Sequence, residues 1–88
     1  IGLVHAQAPV ADWQQLATLE FSEGLAKHCT WGGKNLEGHS DNIRNIDLVV
    51  SGHIGCERWV RHGNQLWIDT ILRTGKPTLM KARSLLDL

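Results

Sequence analysis

With 88 residues the chain is long enough for one small domain and too short for two. A hydrophobic fraction of 42% with 20% charged residues fits a folded chain and excludes a disordered one. Lys plus Arg and Asp plus Glu both number 9, so no basic field exists to hold a polyanion, and nucleic acid is not expected as a partner.

The first apolar run, IGLVH at residues 1–5, predicts a buried strand that ends in His5. The chain opens inside this run, at Ile1 and without a methionine, as a cut through a longer protein would leave it. Pro9 blocks continuation into a central strand. Asp12 reads as a helix N-cap, with Trp13, Leu16, Ala17 and Glu20 following at helical spacing. Phe21, Leu25 and Cys29 stand four apart and predict a second helix, capped by Ser22 and weakened by Gly24. Trp31-Gly32-Gly33 ends it. Residues 34–45, KNLEGHSDNIRN, are polar and form the longest expected exposed loop.

Beyond that loop the pattern turns to β. Residues 46–51, IDLVVS, have the near-continuous apolar pattern of a strand buried on both faces. Residues 58–61 and 65–70 flank His62-Gly63-Asn64, a short glycine-containing hairpin connection. Residues 77–83, PTLMKAR, are expected to add a strand after the turn Thr74-Gly75-Lys76, with Pro77 at its first position or on an edge. The whole, residues 1–88, reads as a mixed α/β domain with helices first and a β-rich half after them.

His5 and His53 share a local design, each closing the C-terminal end of an apolar strand. Gly52 before His53 permits a tight turn or a close backbone approach. Two such strands side by side bring both imidazoles to one rim of a sheet, where open α/β sheets bind ligands. A neutral imidazole there is a ligand for zinc, manganese or iron, or a rim residue satisfied by backbone or water.

Val4-His5-Ala6, Trp31-Gly32, Gly52-His53, the run Gly63-Asn64-Gln65-Leu66-Trp67-Ile68-Asp69-Thr70, and Thr78-Leu79 occur in that order over almost the whole chain. The set resembles the C-terminal half of a bacterial or phage-type serine/threonine phosphoprotein phosphatase of the calcineurin-like metallophosphoesterase superfamily. The resemblance implies the C-terminal part of a four-layer αββα sandwich, with helices outside, two mixed sheets inside and a dinuclear metal site at the sheet rim. It also implies that His5 and His53 bind the second of two divalent ions, manganese first, with iron or zinc as alternatives.

The family places a phosphate-binding arginine two residues after the tryptophan, where this chain has Gly33; the neighbouring Lys34 is the candidate substrate-binding cation, a point charge without a bidentate fork. Ile54 and Gly55 stand where the family has Thr and often Pro, and Ile71-Leu72 where it has Gly and a small residue. The GDxHG, GDxxDRG and GNHE motifs of the family are not in the sequence, so no catalytic residue is assigned to this chain. They are expected on a preceding N-terminal half, and the chain alone is expected to be inactive, to self-associate or to need that half.

The other candidates read more plainly. His28 and His62 are expected to face solvent, and His39 in the polar loop is the one histidine besides the pair that could approach a substrate. Asp69 either orients a ligand histidine or is a hydrogen-bonded strand residue. Trp13, Trp31, Trp59 and Trp67 are expected to be packing anchors, with Trp59 across the hairpin from Trp67, and base stacking as the other reading. Cys29 and Cys56 form neither a CxxC pair nor a disulfide framework, and read as small buried residues of a cytoplasmic protein. No apolar run is long enough for a bilayer and no signal peptide opens the chain, so no membrane partner is expected. Three functions follow. The first is part of a protein phosphatase or small-phosphoester hydrolase, the second a symmetrical dinucleoside tetraphosphate hydrolase, the third a non-catalytic remnant serving as an interaction surface.

Overall fold

A computed structural model describes residues 1–31 and 42–87. They form a small mixed α/β domain around one four-stranded sheet, built from β1 (Gly2–Val4), β2 (Val49–Ser51), β3 (Val60–His62) and β4 (Gln65–Trp67) in the order β1-β2-β4-β3. The first three strands in that order run parallel and β3 is antiparallel to β4. Between β1 and β2 lie a 3₁₀ helix, Trp13–Ala17, and α1, Glu23–Trp31; α2 (Ile71–Thr74) and α3 (Ala82–Leu85) follow β4. Helices therefore stand on both sides of the strands in sequence, and the order "helices, then strands" holds only for the middle of the chain.

The core is set by β2. Successive strand residues face opposite sides of a sheet, so Val49 joins Ala8 and Ile43 on one face, with Val4, Trp13 and Ile46 packed around them. Val50 joins Leu48, Leu66 and Leu85 on the other, with Ile68 and Met80 against them. Both faces are apolar because β2 is central, as its sequence predicts. Trp67, Leu48, Leu66 and Val49 are fully enclosed, each worth about 1.5–3 kcal/mol of transfer free energy.

The predicted caps hold. The Asp12 carboxylate accepts from Gln14 N at 3.0 Å and starts the first helix, which is a 3₁₀ turn ending at Ala17 rather than an α-helix reaching Glu20. The Ser22 hydroxyl accepts from Leu25 N at 3.0 Å and starts α1. The hairpin turns on Gly63-Asn64, with His62 opposite Gln65 and a positive φ of 57° at Gly63, a position glycine fills without strain. Asn64 then clamps the chain entering β2, accepting from Ile43 N and donating to Ile43 O and Ile46 O at 2.7–2.8 Å.

Residues 77–83 form no strand. Thr70 Oγ1 donates to Lys76 O at 2.7 Å and meets Thr78 Oγ1 at 2.9 Å, which draws the chain across the sheet instead of along an edge. Pro77 also has no N–H to give a ladder. The alternation remains, with Thr78 and Met80 half-buried and Leu79 and Lys81 exposed, but it serves a segment lying on the face that Leu85 of α3 completes. Among the described residues no helix is long and apolar enough to cross a membrane.

Candidate metal centre

Three parallel strands end at one rim. Val4 of β1 pairs with Ser51 of β2, which pairs with Trp67 of β4, so His5 and Gly52 emerge side by side. Gly52 N donates to His5 O at 2.8 Å, extending the ladder by one bond. The next residue, His53, brings its imidazole to the His5 ring, with centroids 5.0 Å apart and planes tilted by 41°. Two imidazole nitrogens ~2.0–2.1 Å from one tetrahedral ion place their ring centres roughly 5 Å apart. The observed pair has that spacing.

The turn that aims His53 is strained. Ile54 N donates to Gly52 O at 2.6 Å, closing a three-residue turn with His53 at its centre and a φ of 61°. Such a turn is rare for a residue with a side chain, and strain of this kind collects at functional sites. The sequence put the special backbone on Gly52. The structure puts it on His53. Gly52 is outside the left-handed region, and its missing Cβ matters through space, because an added one would stand 3.4 Å from His5 O.

His5 is held from behind by buried backbone. Ala6 N donates to Cys29 O of α1 at 2.7 Å, and Trp67 Nε1 donates to Ala6 O at 3.0 Å. Trp67 is thus both the largest enclosed side chain and the brace of the strand end that carries His5. Trp31, the last residue of α1, sets its ring perpendicular to His53 at 5.3 Å.

An arginine that the sequence reading passed over also reaches this rim. Arg73 on α2 lays its stem on the turn after His53, with Cγ and Nε 3.7 and 3.8 Å from the place a Gly55 Cβ would take. Burial of Cys56, reinforced by the nearby Asp69 carboxylate, holds its thiol above the ordinary value against the opposing pull of Arg73. The only sequence signal for Arg73 was its place just past the end of a rim-forming strand.

The remaining candidates do not join the pair. Asp69 accepts from Cys56 N through its backbone carbonyl at 2.8 Å, and among the described residues its carboxylate bonds neither histidine. His28, expected in solvent, is half-buried with Nε2 donating to Ala8 O at 3.1 Å, because α1 packs on the segment after β1. His62, also half-buried, meets the Trp67 ring at 6.0 Å. Trp59 is 41% exposed and lies beside the pairing, where Val60 is the residue opposite Trp67. Lys34, Gly33 and His39 lie outside the described residues. Among those described, no group of three or more His, Cys, Asp or Glu could hold an ion, so the rim offers two imidazoles and no carboxylate partner. The chain matches no protein-family model and no curated protein.

Proposed function

We propose that this chain is the C-terminal portion of a metal-dependent phosphoesterase, and contributes His5 and His53 as two ligands of one ion in a dinuclear centre. The observation that carries the reading is the 5.0 Å pairing of two imidazoles at the carboxyl rim of parallel strands, one of them on strained backbone. Manganese is the first metal expected, with iron or zinc as alternatives. Bound there, divalent ions supply a hydroxide nucleophile and polarise the phosphoryl oxygens. The chain's own work is to present neutral imidazoles, to fix them by the backbone bonds of His5, Ala6 and Gly52, and to place cations near the phosphate. Lys34 is a substrate cation on the strength of the resemblance alone; Arg73, beside the His53 turn, is a second.

A serine/threonine protein phosphatase is the first reading of the substrate, with small phosphomonoesters as the wider class. A dinucleoside tetraphosphate hydrolase is the second, favoured by the indole of Trp31 at the centre. The finer architecture belongs to the same proposal. Two imidazoles need carboxylates from elsewhere, and a preceding half carrying them would complete a four-layer sandwich. Leu3, 76% exposed on edge strand β1, and the groove of about 310 Å³ between it, Val50 and Ile68 are apolar surface for such a half, or a second copy, to cover.

The test is hydrolysis of p-nitrophenyl phosphate with manganese, by the 88-residue chain alone and by the chain joined to the segment that precedes it in its gene. Only the joined protein should turn over, and His5→Ala or His53→Ala should abolish its activity. Robust turnover by the short chain, or full activity without either histidine, rules the proposal out.

A further inference from the structure

Of the two tryptophans described at this rim, Trp67 is fully enclosed, whereas Trp31 keeps 70% of its surface exposed. A lone exposed apolar side chain needs no explanation. Trp31 differs in what it touches. Its ring stands at 88° to His53, and a perpendicular contact covers at most one face of an indole, so a broad face stays open beside the centre. Its position is also fixed. Cys29 O and His28 Nε2 tie the last turn of α1 to Ala6 and Ala8, two and three residues before Trp31, so the indole projects from an anchored element.

We infer that Trp31 determines specificity at this centre, stacking the planar aromatic group of a phosphoester whose phosphate lies at His5 and His53. The inference rests on the metal-centre reading and narrows its substrate to nucleoside and aryl esters over aliphatic ones. Every nucleobase has a π-face, so stacking selects the class and leaves the base open.

The test is calorimetric titration of the full chain loaded with Mn²⁺, using 5′-AMP and glycerol 3-phosphate, which share the phosphate and differ in the organic group. The parent should prefer 5′-AMP by about tenfold, and Trp31→Ala should erase that preference with glycerol 3-phosphate affinity unchanged. Trp31→Phe should keep part of it. A parent without preference, or a Trp31→Ala chain that loses both ligands equally, overturns the inference. Mn²⁺ titration without any ester separates the two readings. A chain that takes up no Mn²⁺ removes the metal centre and this inference with it, while Mn²⁺ uptake with Trp31-independent 5′-AMP binding removes this inference alone.

Discussion

Replacing His53 by glycine and, separately, by alanine separates the backbone of this residue from its ring. Both variants lose the contacts with His5 and Trp31, so those losses cancel in the comparison. Alanine keeps the left-handed strain at φ 61°, which costs a residue with a Cβ about 1–2 kcal/mol. Glycine removes it but loosens the unfolded chain, at about 0.4–1 kcal/mol. His53→Gly should therefore be more stable than His53→Ala by about 0.5–1 kcal/mol. For a domain of this size that is roughly 2–8 °C in melting temperature, read by circular dichroism. Both variants should lose Mn²⁺ binding, measured on the same samples. An alanine variant that melts at or above the glycine one refutes the strained turn, and Mn²⁺ binding retained in both refutes the ligand role.

Trp67→Ala should cost about 3–5 kcal/mol in urea unfolding, and Trp67→Phe, which removes only the bond to Ala6 O, about 1–2 kcal/mol; a Trp67→Ala chain that unfolds like its parent contradicts the brace. The Asp12 carboxyl is held below its usual range by the Asn45 amide first, then by Gln14 N–H and the Arg44 charge, so the unfolded chain protonates before the native one. Its contribution is present above the unfolded value, about pH 4, and is lost as pH falls below it; Asp12→Asn should flatten that acid limb, and an unchanged limb would count against the cap. A disulfide reagent should label Cys29 well before Cys56, because Cys56 is buried with its thiol pushed up and Cys29 is half-buried. Equal labelling rates in the native chain would contradict that order.

The strand ends were legible because two signals coincided at each, an apolar run and a histidine with turn residues after it. Parallel pairing of β1 with β2 then puts His5 beside His53, as the pattern requires. The caps at Asp12 and Ser22 were legible because one short side chain decides each. The segment 77–83 was misread because alternation records which side chains are covered, and a chain crossing a sheet face alternates as a paired strand does. Trp31 and Trp59 were read as buried from residue type, yet burial depends on what stands opposite, and that is fixed by contacts far away in sequence. Arg73 could not be placed at the rim before the 52–56 turn and α2 were known to touch. The clamp made by Asn64 was hidden for the same reason, since its partners lie about twenty residues upstream.

The bonds behind His5 join residues that are remote along the chain, Ala6 to Cys29, Ala6 to Trp67 across 61 positions, and His5 to Gly52. None of them forms within a single hairpin or helix. Such contacts come late in folding, after most of the loop-closure entropy has been met. They also open only when the elements they join come apart, so the amides of Ala6 and Gly52 belong with the slowest-exchanging class of the domain. Gradual loosening of the rim is therefore closed to this fold. The two histidines face each other when the domain is whole, and part when the sheet does.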